Sequence, residues 1–571
     1  MMKNSYRVMM LNALITLFPF VSYAQAPVSA PVDSITYRYP LEVPMNLSGN
    51  YGELRSNHFH GGIDFRIGGV VGASIFATEK GYISRISVSP SGYGNALYIT
   101  HPNGYVSVYG HMLAFNEKIQ GYVREKQYGS EAFRQDLVLE PGVFPVSKGE
   151  FIGKAGNSGS SGGPHLHFEI RDTANVPLNV FDHKFLTIKD NTPPVINSVA
   201  FFGYSKDTGV VSSYYIGQRT GTDGVVKLPA VSYIAIDAVD KQEGTAARLA
   251  VNEYRVYLDT SLIYRLRIGD VPFEYGRYIN SLMEYSLRQS AGKYMIKSHV
   301  EPGNMLCDRI QSKNDGLIVL QDNLPHKVKV EVLDYQQNRR TRIYTVQRDD
   351  AAFAGACTDT VKANFMAWYL PGFYSTEGLE VRIPQAALYN SIYFKADTAA
   401  CRLTPFAPVW RLHSPEVALH FPAEVTVKCN VPDSLAAKAL LVQIGKGGKL
   451  YPAGGNYDPV QKQIQTKISA LGEYTVALDR TPPVIICSIV NNAVVKGDKI
   501  TFIIRDELSG IKNYRVEMDG HWVLAELDGK TNRVTVPLRH ARIKKGGKHT
   551  LVMTVTDNSD NTARLKRAFT W

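Results

Sequence analysis

Four residues in two short motifs have the types and spacing of a metal site. His60 and Asp64 lie in HFHGGIDF, and His165 and His167 lie further along the chain in GGPHLHFEI. Two imidazoles and one carboxylate can hold a zinc ion and leave a coordination position for water, which is how hydrolytic zinc sites are built. The sequence therefore predicts a zinc centre with hydrolytic chemistry.

The spacing within each motif predicts how these side chains meet. Successive side chains of a strand point to opposite faces, so His165 and His167 should share one face of a strand. A pair of glycines follows His60. Glycines accept positive φ angles, so the pair predicts a tight turn that brings Asp64 back to the same ion.

A third element, HPNGYVSVYGHM, lies between the two motifs. Its PNG turn and the alternating run that follows predict a hairpin that continues into a strand. Tyr105, Ser107, Tyr109 and His111 should then share one face of that strand. Glu169 falls on the same face as the two histidines of its own strand, where it could orient one of them or lie as a carboxylate on the rim.

These motifs resemble those of the lysostaphin-like (LytM-type) zinc metallopeptidases, which cut the peptide stems or bridges of bacterial peptidoglycan. The HxGxD motif, the YxH strand and the HxH motif in GKAGNSGSSGGPHLHFE occur in the order of that family, and the likeness covers residues 50–172. The resemblance implies that His60, Asp64 and His167 are the zinc ligands. It also implies that His111 and His165 flank the metal-bound water.

The expected chemistry follows from the charge of such a site. Zinc lowers the pKa of a bound water toward about 7, so hydroxide is available near neutral pH to attack a peptide carbonyl. His111 and His165 have suitable intrinsic pKa values to accept the proton of that water and to pass one to the leaving amine. Either histidine can take either role.

Three features near the motifs have two interpretations each. A charged insertion, residues 115–142, separates the strand of His111 from the glycine-rich turn. It could shape a substrate groove or lie on its rim. Arg55 and Asn57 precede the first motif, and each could contact substrate or cap the turn.

The N-terminus has the pattern of a signal peptide. Lys3 and Arg7 precede an apolar stretch, and small residues before Ala24 suit cleavage there, which assigns residues 1–24 to the leader. The apolar stretch is too short for a membrane-spanning helix, and no later segment reaches that length. We expect an exported protein without a transmembrane segment, located in the periplasm or, alternatively, secreted.

The length of 571 residues predicts several domains of an all-β protein. DNTPPVI at residue 190 recurs as DRTPPVI at residue 479, and each copy ends in a strand followed by an Asp-xxx-Asn turn. We interpret these as internal repeats that resemble immunoglobulin-like β-sandwiches. The predicted domains are a peptidase domain with antiparallel sheets at 25–189, β-sandwiches at 190–350 and 351–478, and a last sandwich at 479–571.

Composition adds predictions about partners. The net charge of +11, partly concentrated at residues 539–549, favours contact with anionic polymers or a membrane surface. No nucleic-acid recognition module is recognisable, so we expect no nucleic-acid partner. The five cysteines lie outside the peptidase region and lack metal-ligand spacing.

The sequence favours an active zinc endopeptidase whose substrate is the peptide part of peptidoglycan. One alternative is a binding or regulatory protein of the cell wall that keeps the peptidase fold without cutting. Another is a protease that acts on proteins outside the wall, since the chemistry of the site would be the same.

Overall fold

The computed structural model describes residues 36–205, 209–217, 224–243, 245–353, 364–400 and 405–571. The predicted signal peptide, residues 1–24, lies outside these ranges. About 46% of the described residues are strand and 10% are helix. Within the described ranges all strand pairs are antiparallel except two, Val225–Leu228 with Arg339–Arg348 and Ala493–Val494 with Thr562–Thr570. The predicted all-β class is confirmed.

Residues 47–178 form a nine-stranded sheet and a three-stranded sheet. Their strands are Leu47–Gly49, Ile63–Arg66, Ser74–Phe76, Gly81–Val88, Ala96–Thr100, Val106–Gly110, Met112–Phe115, Gln135–Val138, Pro145–Val146, Phe151–Ala155, His165–Arg171 and Pro177–Leu178. The α-helix Glu117–Ser130 occupies the predicted insertion. It begins where the Asn116 side chain accepts a hydrogen bond from the Ile119 backbone N–H, an N-cap that satisfies a free donor of the first turn.

Residues 195–348 form a five-stranded and a six-stranded sheet. Their strands are Val195–Ser205, Gly209–Gly217, Val225–Leu228, Val231–Val239, Glu253–Leu258, Ser261–Arg267, Ile296–Lys297, Ile310–Ser312, Ile318–Val319, His326–Leu333 and Arg339–Arg348. Short helical segments interrupt the strands at Phe273–Tyr278, Ile279–Leu282, Tyr285–Ala291 and Asn314–Gly316, and a further turn follows at Asp350–Phe353.

The remaining strands form two more sets of sheets. The first set contains Phe365–Met366, Gly372–Ser375, Leu379–Ile383, Ile392–Tyr393, Ala396–Ala399, Val409–Leu412, Ala418–Lys428, Ala439–Ile444, Leu450–Gly454, Asn456–Asp458, Gln463–Ala470 and Gly472–Leu478. The second contains Val484–Cys487, Ala493–Val494, Lys499–Arg505, Ile511–Met518, His521–Trp522, Glu526–Asp528, Arg533–Pro537, Lys548–Asp557 and Thr562–Thr570. Turns of 3-10 helix lie at Asp433–Lys438, Lys446–Gly448 and Leu538–His540.

Alternation of side chains explains how the last set packs. Along Lys548–Asp557 every second residue is buried, because one face of the strand lies on the core and the other meets solvent. Phe502 and Val534 from one sheet share a core with Met518 and Leu551 from the other, so the two sheets pack face to face. The predicted domain boundaries at 190, 351 and 479 fall between the sets of sheets and stay predictions.

The segment that carries the first motif packs against the sheets of residues 195–348. Tyr51 and Phe59 belong to the same buried cluster as the apolar residues of those sheets. The Tyr51 hydroxyl donates to the Pro177 carbonyl at 2.8 Å and accepts the Val271 N–H at 2.8 Å. These two buried hydrogen bonds hold the segment before His60 to Pro177 on one side and to Val271 on the other. Within the described residues, none of the helices combines the length and apolarity that crossing a membrane requires.

Candidate metal centre

Strand register brings the two motifs together. His165–Arg171 lies between Ile63–Arg66 and Val106–Gly110 in the nine-stranded sheet. His167 is directly opposite Asp64 on one side and Gly110 on the other. Directly opposed residues of antiparallel strands have neighbouring side chains, so Asp64 and His167 meet on one face. His60 reaches the same point from the loop that precedes Ile63–Arg66.

Three donor atoms form a nearly equilateral triangle at this point. His60 Nε2 lies 3.0 Å from Asp64 Oδ1 and 3.0 Å from His167 Nδ1, and His167 Nδ1 lies 2.9 Å from Asp64 Oδ1. All three side chains are buried. Three ligands of a tetrahedral zinc ion lie about 3.3 Å apart at bond lengths of about 2.0–2.1 Å, so the triangle has the size that zinc requires.

The outer contacts of the two histidines determine which nitrogens face the triangle. His60 Nδ1 lies 2.7 Å from the backbone carbonyl of Asn50, and His167 Nε2 lies 2.7 Å from the Glu169 carboxylate. Both partners are acceptors, so the neutral form of each ring, which is the form that binds a metal ion, donates its N–H outward and directs its lone pair inward. Two lone pairs and the Asp64 carboxylate then face one another at about 3 Å, an arrangement that a cation stabilises. The donor set fits zinc.

Glu169 contacts the outer nitrogen of His167, and it does not lie on the rim of the site. It is fully buried, and it also accepts hydrogen bonds from the Tyr93 hydroxyl at 2.6 Å and from Arg171 Nε at 2.6 Å. Burial alone would raise the pKa of Glu169, but the charges of Arg171 and His167 outweigh it and lower the pKa to about 2. Glu169 therefore stays ionised and orients the His167 ring.

Asp64 has a contact on its other oxygen as well. Arg55 Nη2 lies 3.0 Å from Asp64 Oδ2 and 2.9 Å from a carboxylate oxygen of Glu53. Burial opposes ionisation of Asp64, but His60 and the hydrogen bonds from His165 and His167 keep its pKa well below the usual range. Neither interpretation of Arg55 from the sequence describes this contact, in which the guanidinium holds the Asp64 carboxylate in place.

His111 and His165 lie beside the triangle with their rings 4.8 Å apart. His165 Nδ1 donates to the Gly163 carbonyl at 2.8 Å, which leaves Nε2 pointing at Asp64 Oδ1 at 3.4 Å. His111 Nδ1 donates to the Ser158 carbonyl at 2.8 Å, so its Nε2 carries the lone pair. Burial and the neighbouring His167 and His165 lower the pKa of His111 to about 3, so this ring remains a neutral acceptor.

The prediction that Tyr109 and His111 share a strand face is wrong. The strand ends at Gly110, and His111 has a φ of 58°, a left-handed conformation that turns the chain out of the strand. Tyr109 is directly opposite Phe168 and packs against its ring in the core, on the face away from the metal. The strained backbone at His111 is what turns its imidazole towards the site.

The reason predicted for the glycine pair after His60 is also wrong. Neither Gly61 nor Gly62 has a positive φ. A Cβ at Gly62 would lie 2.5 Å from the Phe168 carbonyl and 3.0 Å from His167 Cε1, whereas a Cβ at Gly61 would lie 3.4 Å from the nearest atom. The loop at Gly62 passes directly over the strand His165–Arg171. A side chain at this position is therefore excluded by lack of space, and not by the backbone conformation.

The insertion contacts the last set of sheets. The ring of Tyr128 in the helix Glu117–Ser130 packs on Trp522 at 5.1 Å, and Glu131 pairs with Arg515 at 2.7 Å. Lys530 Nζ donates to the Asn157 carbonyl, one residue before the Ser158 carbonyl that holds His111. The insertion therefore joins the peptidase region to residues 484–570, beside the loop that positions His111.

Two residues of the site escaped the sequence reasoning. Arg171 continues the alternation of His165, His167 and Glu169 along HLHFEIR, and that periodicity would have placed it on the metal face. Tyr93 contacts Glu169 from far away in the sequence, and its GYG context gives no local signal for the contact.

The β fold and a donor set of two histidines and one carboxylate define a centre of the metallopeptidase class. Residues 58–129 match the model of peptidase family M23, so this part of the chain is similar to that family. This range includes His60, Asp64 and His111. Residues 363–479 match the description of the Zu5-like domain, which overlaps the β-sandwich predicted at 351–478.

Individual relatives match part of the chain. Over 118 residues the chain is 34% identical to the DD-carboxypeptidase/endopeptidase Mpg of Neisseria meningitidis serogroup B, a match that covers 21% of each chain. Over 151 residues it is 28% identical to an uncharacterized metalloprotease of Haemophilus influenzae, covering 25% of this chain and 26% of that one. The chain thus spans about a fifth to a quarter of the length of these curated relatives.

Solved structures give similar partial matches. A zinc-containing peptidase from Vibrio cholerae is 25% identical with a TM-score of 0.20, and the match covers 28% of this chain and 40% of that one. The catalytic domain of lysostaphin from Staphylococcus simulans is 21% identical with a TM-score of 0.18, covering 26% of this chain and 91% of that one.

Proposed function

We propose that the protein is a zinc metalloendopeptidase that hydrolyses peptide cross-links of bacterial peptidoglycan. The observation that carries the proposal is the triangle of His60 Nε2, Asp64 Oδ1 and His167 Nδ1, with two further histidines beside it. Zinc bound there supplies Lewis-acid activation of a water and of the scissile carbonyl. The other parts of the reaction fall to side chains of this chain.

His111 and His165 are the proposed catalytic residues. Each ring has its Nδ1–H fixed on a backbone carbonyl, so Nε2 is the atom that accepts or returns a proton. Because its pKa is low, His111 is suited to accept a hydrogen bond but not to remain protonated. The side chain of His165 is 13% exposed whereas His111 is buried, so we assign proton transfer to the leaving amine to His165.

The substrate class rests on the relatives and on the predicted export. A relative named as a DD-carboxypeptidase/endopeptidase is 34% identical over 118 residues of this chain. We therefore assign a peptide bond in the peptidoglycan cross-link as the target and the periplasm, or the exterior, as the location. The net charge of +11 suits work beside anionic polymers of the envelope.

Muropeptide mass spectrometry tests this function. Purified sacculi are incubated with the protein, with a chelated sample and with His167→Ala, and the products are compared. Loss of cross-linked dimers with the intact protein alone supports the proposal and identifies the bond. His58→Ala is the matched control, because His58 is exposed and contacts Asn57 outside the triangle.

The same experiment separates the alternatives. Intact dimers in every sample, with zinc bound to the wild type, would contradict wall hydrolysis and point to a substrate outside the wall. Intact dimers without any bound zinc would favour a binding protein that keeps the peptidase fold.

A further inference from the structure

An acidic cluster lies outside the peptidase centre, at a point where three separate segments of the chain meet. Asp190 belongs to the DNTPPVI linker, Asp240 follows the strand Val231–Val239, and Asp334 follows the strand His326–Leu333. Carboxylate oxygens of all three lie within 4.8 Å of one another. Their residues are 6%, 4% and 0% exposed, so three carboxylates share one dry position.

The cluster has an unsatisfied acceptor and no basic partner. Asp240 Oδ1 is buried without a hydrogen-bond partner among the described residues. Asp190 and Asp334 accept only N–H groups of the backbone and of Asn338, and within the described ranges no Lys, Arg or His forms an ion pair with any of the three. Burial, with the charges of Asp334 and Asp190 adding to it, raises the pKa of Asp240 to about 8. Buried carboxylates that lack a counter-charge are costly unless a cation binds them.

We propose that Asp190, Asp240 and Asp334 form a binding site for a hard divalent cation, with Ca²⁺ as the fitting ion. All the donors are oxygens, which Ca²⁺ prefers, whereas zinc selects nitrogen and sulfur. Ca²⁺ bonds its ligands at about 2.3–2.6 Å, so oxygens within 4.8 Å of one another can share one ion. Within the described part of the chain no donor contacts Asp240 Oδ1, so this oxygen is available to bind the ion.

The second internal repeat contains the equivalent arrangement. Asp479, Asp506 and Asp557 also have carboxylate oxygens within 4.8 Å of one another. In each repeat an asparagine four residues after the last aspartate bridges that aspartate and the linker. Asn338 donates to Asp334 and to the Asp190 carbonyl, and Asn561 donates to Asp557 and to the Asp479 carbonyl.

A cation at the first cluster would stabilise the junction with the peptidase domain. Gln242 lies two residues after Asp240, where its side chain accepts the Leu47 N–H at 2.8 Å and donates to the Met45 carbonyl at 3.0 Å. The ion would join the linker to both strands and hold this contact with the segment that leads to His60.

Calcium binding to the zinc-loaded full chain tests the proposal by equilibrium dialysis with radioactive Ca²⁺. We expect Asp240→Asn to bind one Ca²⁺ fewer per chain than the wild type. Asp237→Asn, the matched control on the strand that leads to Asp240, should bind as the wild type does, because Asp237 contacts Asn197 outside the cluster. A wild type that binds no Ca²⁺ at millimolar concentration, equal binding by Asp240→Asn, or an equal loss in Asp237→Asn would overturn the proposal.

Thermal unfolding gives a second test, because the difference in melting temperature between the variant and the wild type should change sign when calcium is added. In calcium-free buffer Asp240→Asn should melt at the same temperature as the wild type or higher, because the amide avoids the cost that burial and the neighbouring Asp190 and Asp334 place on the Asp240 carboxylate. In millimolar Ca²⁺ the wild type should melt higher than the variant, because only the wild type gains from binding. A variant that is less stable by the same amount in both buffers, or unfolded in both, would show a purely structural aspartate and overturn the proposal.

Discussion

The Glu169 carboxylate accepts a hydrogen bond from Nε2 of His167 at 2.7 Å. In the neutral ring this contact places the proton on the outer nitrogen, so that Nδ1 offers a lone pair to the metal position. A ligand that binds through Nδ1 depends on such a partner, because the other tautomer would point an N–H at the ion.

Replacing this carboxylate should weaken zinc binding without removing the centre. We expect Glu169→Gln to raise the zinc dissociation constant by about 10- to 100-fold, as is typical for loss of an outer partner of a ligand histidine. A competition titration against a zinc-binding dye measures the change. Tyr93→Phe is the control, since it removes a different hydrogen bond to Glu169 and leaves the carboxylate on His167. Equal zinc affinity in Glu169→Gln and the wild type would contradict this role.

The two glycines after His60 should differ in their tolerance of a side chain. Gly62→Ala places a Cβ 2.5 Å from the Phe168 carbonyl, so the loop must shift and the ligands must separate. We expect it to lose most of the bound zinc, measured by elemental analysis of the purified protein. Gly61→Ala should retain zinc because its Cβ meets only ordinary contacts. Equal zinc content in the two variants would show that space at Gly62 is not limiting.

Substitutions of the four histidines should fall into two groups. His111→Ala and His165→Ala should keep one zinc per chain and lose cleavage by about 10²- to 10⁴-fold, the range for removal of a general acid or base. His60→Ala and His167→Ala should lose both zinc and cleavage. Zinc content and muropeptide cleavage are measured on the same samples. Loss of zinc in His165→Ala would instead make that residue a ligand.

Zinc affinity should increase with pH. Burial lowers the pKa of His167, but hydrogen bonds to Asp64 and Glu169 outweigh it and raise the pKa to about 9 in the metal-free protein. Zinc must displace this proton, so its apparent dissociation constant should fall about tenfold per pH unit between about pH 6.5 and 8.5. Titrations across that range measure the slope. A dissociation constant independent of pH would contradict a protonated His167.

The same shift predicts the pH dependence of stability without zinc. The pKa of His167 in the folded state lies above its unfolded value of about 6.5. Its contribution to the free energy of unfolding, on the order of 3 kcal/mol, is therefore fully present below about pH 6.5 and is lost as pH rises through about 9. Denaturant unfolding of metal-free protein should show the loss, and His167→Gln should not. An unchanged slope in that variant would assign the loss to another group.

Local periodicity made much of the centre predictable. The alternation in HLHFEIR places His165 and His167 on one face, and the structure directs both at Asp64. The same alternation failed at His111, because it assumes a regular strand and the chain leaves the strand there with a positive φ. A single strained residue cannot be read from side-chain alternation.

Long-range contacts were the part that the sequence could not supply. The repeated Asp-xxx-Asn turns were visible in the sequence, but the approach of Asp240 to Asp190 and Asp334 depends on how three separate segments pack. The contact of Lys530 with the Asn157 carbonyl likewise joins two segments that are 373 residues apart in the sequence. Neither relationship has a local pattern, because each depends on tertiary packing.

The most direct test of the account is a zinc titration of cleavage. Metal-free protein receives increasing zinc while hydrolysis of a purified cross-linked muropeptide dimer is followed by mass spectrometry. Our account predicts that cleavage rises from background and stops rising at one zinc per chain, and that His167→Ala gains none. Cleavage that persists after zinc removal, or full cleavage by His167→Ala, would contradict a zinc centre formed by His60, Asp64 and His167.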